Sequence, residues 1–226
     1  MLGMTKMDTG KPETQEAFSI FPKIGGDEVG KGDFFGPLVV CAVYLEGPDS
    51  VPREVRDSKS VSEHRIRTQA PALLQALSRA HAVVKISPAK YNELYAKFKN
   101  INAILGWAHA RAVKNLLETG LDPRVILIDR FGPEFRVTRH FDDPGWVEKM
   151  VFLPRAEEDP AVAVASVIAR YTFLKEMERL SRSAAMNLPL GAGEGVDAAA
   201  RVLAKRVGPS GMAAFAKVHF KNFQRI

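Results

Sequence analysis

The sequence has a single cysteine, Cys41, and no apolar run of the length that crosses a bilayer. One cysteine cannot form an internal disulfide, so the fold does not depend on the cross-links typical of small secreted domains. A membrane helix needs about 20 consecutive apolar residues, and the polar N-terminus also lacks the apolar core of a signal peptide. These absences exclude a disulfide framework and predict a cytoplasmic protein without a membrane anchor.

The five histidines do not form a zinc motif either. None lies four residues from another, and none stands beside the cysteine, whereas zinc ligands recur at short fixed spacings. A zinc-dependent function is therefore not expected.

The sequence does contain enough apolar material for a substantial core. Hydrophobic residues make up 46% of the 226 residues and are spread along the chain, which predicts a globular monomer that folds without a partner. The 32 Lys and Arg residues exceed the 26 Asp and Glu residues and give a net charge of +6. This surplus suits a polyanionic partner such as nucleic acid, but it is also common in other soluble proteins. Charge alone therefore identifies no function.

Apolar periodicity predicts strands that alternate with helices. An apolar segment from Phe21 is interrupted by a glycine-rich turn before a second run at 37–45, which predicts a β-hairpin. Further strands are expected near 81–88, 124–129 and 147–154, and helices near 62–79, 102–118, 160–181 and 196–218. We expect a flexible polar arm over 1–19, a catalytic unit over 20–182, and a Gly-rich link with a C-terminal helical part over 183–226, packed on that unit.

Acidic residues occupy three places where packing gives no reason for a charge. Asp27 and Glu28 stand in the first apolar segment, Asp129 ends the run VILID, and a cluster at 157–159 precedes the longest predicted helix. A single carboxylate at a strand end is usually only solvated. Three such groups can converge on one crevice of an α/β sheet, where they repel each other unless metal ions neutralise them.

Oxygen ligands of this kind select Mg²⁺ or Mn²⁺ over softer metals. Two such ions close together suit phosphodiester cleavage, because one activates water and the other stabilises the leaving oxygen. The acidic residues therefore favour a metal-dependent enzyme of phosphoryl transfer.

The loop GGDEVGKGD permits two other interpretations, and both fit poorly. It approaches a phosphate-binding P-loop, with Gly25, Gly30 and Lys31 at the right spacing, but Gly32 stands where the magnesium-binding Ser or Thr is required. Two carboxylates would also lie inside the cradle meant for phosphates. The loop is also similar to the GGDEF motif of diguanylate cyclases, but the 24 residues before it leave no room for the segment that carries another metal ligand in those enzymes.

Four blocks, in this order, resemble the ribonuclease H type 2 and 3 family. They are GGDEVGKGDFFGPLVVCAV, DSKSVSEHRI, YNELYAKFKNINAILGWAHARAV with VILIDRF after it, and RAEEDPAVAVASVIARYTFL, and they span residues 23–182. The stretches GDEVGKGDFFGP, YNELYAKFKN and the ending HFKN look more like ribonuclease HIII than the type 2 enzymes. The resemblance implies an α/β ribonuclease H-like fold, with a mixed central sheet flanked by helices and a helical C-terminal part.

The resemblance also implies roles for individual residues. The implied metal ligands are Asp27, Glu28, Asp129 and Glu157, and the implied substrate contacts are Gly30, Lys31, Gly32, Lys59, Asn102 and Ser166. The glycines would let the backbone approach the 2′-hydroxyls that distinguish RNA from DNA, although a tight turn alone would also explain them. Lys59 and Asn102 match phosphate contacts of the family. Ser166 is equally well explained as a packing residue.

The implied reaction is endonucleolytic hydrolysis of the RNA strand of RNA·DNA hybrids, leaving 5′-phosphate and 3′-hydroxyl ends. Two alternatives stay open: a related two-metal nuclease that acts on DNA junctions, and a hybrid-binding protein without catalysis. Ribonuclease HIII proteins normally carry an N-terminal substrate-binding domain, whereas only a short polar arm precedes the resemblance here. We therefore expect weaker substrate binding than in relatives that have that domain.

Two glutamates compete for the fourth ligand position. If the helix begins at Pro160, Asp159 is its N-cap and is occupied with backbone N–H groups. Glu157 matches the family's RAE motif, but the link from it to AVAVAS is one residue shorter than usual, so Glu158 could face the site instead. In an extended segment adjacent residues point to opposite faces, so only one of the two can join the other acids. The motif favours Glu157.

Two further features of the sequence allow more than one interpretation. His109, on the predicted helix over 102–118, is interpreted as a core or surface residue and not as a catalytic one. The basic and aromatic ending KVHFKNFQRI could attract nucleic acid or could equally form a surface strap.

Overall fold

The predicted alternation of strands and helices is present in the computed structural model, which describes residues 14–50 and 62–226. Five strands form one sheet: β1 Lys23–Val29, β2 Leu38–Leu45, β3 His81–Ile86, β4 Val125–Asp129 and β5 Met150–Leu153. Their order across the sheet is β3-β2-β1-β4-β5. Strands β1, β2 and β3 pair antiparallel, whereas β1, β4 and β5 pair parallel. The mixed sheet and the β1–β2 hairpin are therefore confirmed.

Helices cover both faces of this sheet. The α-helices in the described parts of the chain are α1 Thr14–Ser19, α2 Glu63–Ala76, α3 Pro88–Phe98, α4 Ile101–Leu117, α5 Phe135–Thr138, α6 Pro144–Glu148, α7 Pro160–Ala184 and α8 Glu194–Gly211. Short 3₁₀ helices lie at Pro48–Ser50, Ala156–Glu158, Met212–Ala214 and Lys221–Arg225. No helix among the described residues combines the length and the apolar character that crossing a bilayer requires.

The residues of β2 show why the sheet has a core on each side. Val39, Cys41 and Val43 pack on one face with α2, α7 and α8. Leu38 and Val40 pack on the other face with α3, α4 and α5. Because successive side chains of a strand point to opposite faces, a strand that is apolar at nearly every position is buried on both. Cys41 is fully buried and serves as a small core residue of this strand.

The flexible arm predicted over 1–19 is wrong for its last residues, which form α1. Ala17 is fully buried in a small apolar cluster with Val125 and Val151. Six residues are too few to show a helical repeat in the sequence, and so short a helix is stabilised by tertiary contacts and not by its own propensity. Residues 1–13 lie outside the described part of the chain.

A buried ion pair ties β1 to the start of α7. The Lys23 ammonium donates to the carboxylate of Asp159 and, at 2.7 Å, to the backbone oxygen of Phe18, and both charged side chains are fully buried. Asp159 also accepts a hydrogen bond of 2.8 Å from the backbone N–H of Ala161. The predicted N-cap is therefore confirmed, and Asp159 is occupied by partners other than a metal.

The C-terminal helix is shorter than the predicted span of 196–218. The backbone of α8 leaves the helical conformation at Gly208, where φ is 70° and ψ is 166°. Pro209 follows, and it has no N–H with which to continue a helical hydrogen-bond ladder. The chain then returns toward the sheet, where Ala216 forms an isolated antiparallel bridge with Phe35 in the β1–β2 loop. The division of the chain at residue 182 stays a prediction.

Candidate metal and nucleic-acid site

The ends of β1 and β4 bring two of the predicted acidic residues side by side. The parallel register places Gly26 opposite Ile128, so Asp27 and Asp129 come next on their strands. Neighbouring strands lie about 4.8 Å apart, and residues at the same level of parallel strands point to the same face. Asp27 and Asp129 therefore share one face at one edge of the sheet.

The start of α7 covers that face and approaches β1 closely at Gly25. A Cβ atom at Gly25 would lie 2.3 Å from the backbone nitrogen of Val162, so no other residue fits there. Asp27 is two residues further along β1 and faces the same helix one turn later, where the Ser166 side chain hydrogen-bonds to its carboxylate. The structure thus places Ser166, for which the sequence allowed either role, next to Asp27.

Burial dominates the electrostatics of Asp27. Desolvation raises the pKa of its carboxyl from 3.8 to about 6, and the neighbouring charge of Glu28 adds to the rise. Hydrogen bonds from Ser166 and from the Glu28 backbone N–H, the latter 2.8 Å long, oppose the rise without cancelling it. Electrostatic attraction to His109 also lowers this pKa, but less than burial raises it, so the carboxylate is short of the positive charge that a divalent cation would supply.

Glu28 faces the other side of the sheet and meets a histidine that the sequence did not single out for function. Its Oε2 lies 3.0 Å from Nε2 of His109, and the imidazole is fully buried. Nδ1 of that ring has no hydrogen-bond partner among the described residues, so the proton of a neutral ring belongs on Nε2, facing Glu28. Phe131 stacks on the imidazole with ring centroids 4.9 Å apart. His109 therefore holds the Glu28 carboxylate in one orientation.

Asp129 is held by the turn that follows β5. The backbone N–H of Ala156 donates to its Oδ1 at 3.0 Å. Ala156 is buried and opens a 3₁₀ turn that continues through the exposed Glu157 and Glu158. Successive residues of a 3₁₀ helix are about 120° apart, so the expectation of an extended segment with the two glutamates on opposite faces is wrong. Glu157 as the fourth ligand stays a prediction.

The carboxylates lie near one another without forming a closed cluster. Within residues 14–50 and 62–226, no group of three or more His, Cys, Asp or Glu side chains lies close enough together to hold a metal ion. Each of the three strand-end carboxylates instead accepts a hydrogen bond from a different part of the chain. The arrangement provides acidic residues on adjacent strand ends, and their role as ligands is a proposal.

The loop between β1 and β2 carries three of the predicted substrate contacts. Gly30 has a φ of 92°, and a Cβ atom there would lie 2.2 Å from the carbonyl oxygen of Pro37, so both conformation and space require glycine. Gly32 is exposed with nothing within 4 Å of a Cβ, so packing does not require glycine there. Lys31 is also exposed, and its Nζ lies 3.4 Å from the backbone oxygen of Phe131 in the loop after β4. The glycine-rich loop therefore contacts the loop that follows β4.

The C-terminal segment fixes this loop in place. The ammonium of Lys217 is buried and donates to the backbone oxygens of Asp33 at 2.7 Å and Gly36 at 2.9 Å. Its backbone N–H donates to the oxygen of Phe34 at 2.9 Å. Burial lowers the pKa of Lys217 to about 7, against the opposing effect of Asp33. The C-terminal ending was expected either to attract nucleic acid or to form a strap. Lys217 acts as part of a strap, because its ammonium is buried on backbone oxygens and cannot reach phosphates.

Asn102 lies at the rim of the same loops. A Cβ atom at Gly132, three residues after Asp129, would lie 2.9 Å from Nδ2 of Asn102. Its Oδ1 is buried and has no hydrogen-bond partner in the described parts of the chain. Lys59, the other predicted phosphate contact, lies outside the described residues.

Comparison with known proteins decides the family. A family model described as Ribonuclease HII matches residues 24–223, which is most of the chain. The chain belongs to the ribonuclease HII family. This ribonuclease is 36% identical to Ribonuclease HIII of Chlamydia pneumoniae, over 91% of this chain and 70% of that protein. It is 35% identical to Ribonuclease HIII of Protochlamydia amoebophila, over 96% of this chain and 75% of that protein.

A solved structure gives the same result for the fold. The crystal structure of Bst-RNase HIII in complex with Mn²⁺ matches this ribonuclease with a TM-score of 0.84 at 32% identity, over 98% of this chain and 75% of that one. The ribonuclease H-like fold and the likeness to ribonuclease HIII are therefore confirmed, and the protein is a ribonuclease H endonuclease.

The sequence pointed to the acidic residues as candidate ligands, which stays a prediction, but it did not indicate the contact of His109 with Glu28. The available signal was a histidine within the apolar face of α4, beside Ala108 and Ala112. A buried polar side chain needs a hydrogen-bond partner, so a histidine on an apolar helix face is expected to contact another polar group, such as one of the acidic residues. The sequence does not say which partner, because the two residues are 81 positions apart.

Proposed function

We propose that this ribonuclease hydrolyses the RNA strand of RNA·DNA hybrids with two divalent ions, Mg²⁺ or Mn²⁺, held by Asp27, Glu28, Asp129 and Glu157. The observation that carries the proposal is the in-register placement of Asp27 and Asp129 on adjacent parallel strands, below a glycine-rich loop. The ribonuclease HIII relatives and the Mn²⁺ complex of Bst-RNase HIII support it. The expected products carry 5′-phosphate and 3′-hydroxyl ends.

The residues fit divalent cations of this kind. All four proposed ligands are carboxylates, and hard oxygen ligands are those that Mg²⁺ and Mn²⁺ prefer. The raised pKa of Asp27 is the sign of a buried carboxylate without enough positive charge around it. Bound ions would supply an activated water and charge stabilisation for the leaving oxygen.

Other residues hold these ligands in defined orientations. Ser166 hydrogen-bonds to Asp27, the imidazole of His109 donates to Glu28, and the backbone of Ala156 donates to Asp129. Partners of this type orient metal ligands and are needed for full affinity.

The surrounding loops would contact the substrate. The turn at Gly30 has a positive φ and would let the backbone approach a substrate closely enough to recognise a 2′-hydroxyl. Lys31 and Asn102 border the loop after β4 and offer a positive charge and an amide to phosphates.

One cleavage assay separates this proposal from its alternatives. Labelled RNA·DNA hybrid, DNA duplex, RNA duplex, branched DNA and a DNA duplex with one embedded ribonucleotide are incubated with Mg²⁺, Mn²⁺ or chelator. We expect metal-dependent cleavage of the hybrid and poor cleavage at the single ribonucleotide, as the HIII-like loop implies. Cleavage of branched DNA in preference to the hybrid would favour a junction nuclease. Binding of the hybrid without cleavage would favour a protein without catalysis.

A pair of variants tests the fourth ligand. We expect Glu157→Gln to reduce Mg²⁺-dependent cleavage by about 100-fold or more, because a lost ligand removes charge stabilisation of several kcal/mol. Glu158→Gln should keep a rate near that of the unmodified protein. Both substitutions remove one charge from the same exposed turn, so each is the control for the other. A severe loss in Glu158→Gln alone would assign the ligand to Glu158.

A second test concerns His109. We expect His109→Ala to weaken Mn²⁺ binding about 10- to 100-fold, because Glu28 loses the donor that orients it. Calorimetric titration of Mn²⁺ into the protein without substrate measures the loss, and His64→Ala, which changes an exposed histidine of α2, is the control. His109→Gln, whose amide can still donate, should recover part of the affinity. Unchanged Mn²⁺ affinity in a folded His109→Ala protein would exclude this role.

A further inference from the structure

The large exposed aromatic side chains of the described residues lie together. Phe98 is 42% exposed, Trp107 is 40% exposed and Phe135 is 52% exposed, whereas the other large exposed apolar residues are aliphatic. Phe98 and Trp107 line one groove of about 200 Å³, and the guanidinium of Arg136 in that groove lies 4.7 Å from the ring centre of Phe135. We call Phe98, Trp107, Phe135 and the groove between them the aromatic patch. Exposed aromatic groups in one place indicate a binding surface.

The aromatic patch is also basic. Its groove is lined by Phe98, Ala103, Trp107, Arg136, Arg139 and His140, among which there is no Asp or Glu. Nε of Arg136 is buried without a hydrogen-bond partner among the described residues. Lys97 and Lys99 are exposed beside Phe98. Positive charge next to aromatic faces suits phosphate groups attached to stacked bases.

The titration of His140 agrees with this charge. Burial lowers the pKa of His140, and the positive charges of Arg139 and Lys114 lower it further. The lowered pKa favours the neutral imidazole, which can stack on a base or accept a hydrogen bond. The positive charge of the patch therefore comes from its arginines and lysines.

The aromatic patch begins next to the proposed active site. Ala103, which lines the groove, directly follows Asn102, whose side chain contacts Gly132 in the loop after β4. Trp107 stands one helical turn after Ala103 on α4. Helix α5 packs on α4 at Gly106, where a Cβ atom would lie 2.1 Å from the backbone oxygen of Arg136. A nucleic-acid strand that passes Asn102 on leaving the proposed active site would therefore meet the groove of the aromatic patch next.

We propose that the aromatic patch binds unpaired nucleotides of a strand that extends beyond the hybrid duplex. The proposal rests on the proposed function for the identity of that duplex. Bases can stack on aromatic side chains only when they are released from a double helix, so the rings are suited to a single strand. The arginines and lysines around the rings match its phosphates. This makes the ribonuclease sensitive to single-stranded nucleic acid next to its substrate.

The chain contains a reporter for this contact. It has two tryptophans, so the variant Trp146→Phe leaves Trp107 as the sole source of tryptophan fluorescence. Titration of this variant with oligodeoxythymidine in chelator should quench the fluorescence, and the affinity should fall as salt rises. Fluorescence that does not change with oligonucleotide would overturn the proposal.

Cleavage assays give the second measurement. A blunt hybrid is compared with the same hybrid carrying a single-stranded DNA extension at one end or the other. The unmodified protein should show a KM lower by about five-fold or more for one extended hybrid, and Trp107→Ala and Arg139→Ala should each abolish that gain. Trp107→Phe should restore it, because a phenyl ring can still stack. Val202→Ala, which changes an exposed apolar residue of α8, is the control.

The outcomes separate this inference from the proposed function. If blunt hybrid is cleaved but the extension has no effect on KM, the inference is wrong and the proposed function stands. If no hybrid is cleaved but oligonucleotide still quenches Trp107, the proposed function is wrong and the patch is still a single-strand site. Equal loss on blunt and extended hybrids in a folded Trp107→Ala protein would overturn the inference. Unchanged nucleic-acid binding in all patch variants would point to a protein partner instead and would also overturn it.

Discussion

Asp27→Asn and Asp129→Asn should each lower the rate of hybrid cleavage by more than about 100-fold while the protein stays folded. Both carboxylates lie at the same level on adjacent strands, and an amide in place of either removes charge that the proposed metal site needs. Cleavage of labelled hybrid in Mg²⁺ and in Mn²⁺ measures the rate. Asp142→Asn, at an exposed aspartate before α6, is the matched control and should not change it. Near-normal rates in both site variants would exclude the metal-site proposal.

Asp27→Asn should also change how stability depends on pH. The pKa of Asp27 is about 6 in the folded protein, against 3.8 as its ordinary value, so the folded state binds the proton more tightly than the unfolded chain. The free energy of unfolding of the unmodified protein should therefore fall as pH rises from about 4 to 6, by at most about 3 kcal/mol from this group.

The asparagine variant has no carboxyl at this position and should not show that fall. In chelator it should be as stable as the unmodified protein, or more stable, at pH 7 and above, and this advantage should disappear below pH 4. Urea unfolding at a series of pH values measures both proteins. A variant that loses stability equally at every pH would show that its hydrogen bonds with Ser166 and Glu28 matter more than its charge.

Lys23→Met should lower the free energy of unfolding by about 3–5 kcal/mol, which is the usual effect of breaking a buried ion pair. The substitution leaves the Asp159 carboxylate buried without its cation and also removes the hydrogen bond to the Phe18 backbone. Asp159 caps α7, and α7 packs on β1 at Gly25. We therefore expect the loss of the ion pair also to weaken the packing of α7 over Asp27. Urea unfolding at 25 °C measures the change.

Lys85→Met is the matched control for this prediction. It breaks the ion pair with Glu176, in which the lysine side chain is 45% exposed, and surface pairs contribute about 1 kcal/mol or less. The double variant Lys23→Met with Asp159→Asn should recover part of the loss, since no unpaired charge remains. A cost below about 1 kcal/mol for Lys23→Met would show that water or another group compensates Asp159.

Local patterns in the sequence were enough to predict most of the framework. Strand alternation and helical periodicity depend on residues two to four positions apart, so β1, β2, β4, α4 and α7 could be placed within a few residues. Asp159 could be identified as a cap for the same reason, because its capping hydrogen bonds reach only to Ala161 and Val162. The acidic residues at strand ends followed from position and from the resemblance of four blocks to one family.

Contacts between distant residues could be decided only by the tertiary structure. Glu28 and His109 are separated by 81 residues, and Lys217 and Asp33 by 184, so no periodicity links the members of either pair. A lysine near a chain end looks like a surface charge in the sequence, yet Lys217 is buried under the glycine-rich loop because α8 breaks at Gly208 and the chain returns to the loop between β1 and β2. The sequence by itself determined the family, the framework and the acidic residues, since these depend on local pattern. The partners that orient those residues were decided by folding, because burial and hydrogen bonding depend on which distant segments pack together.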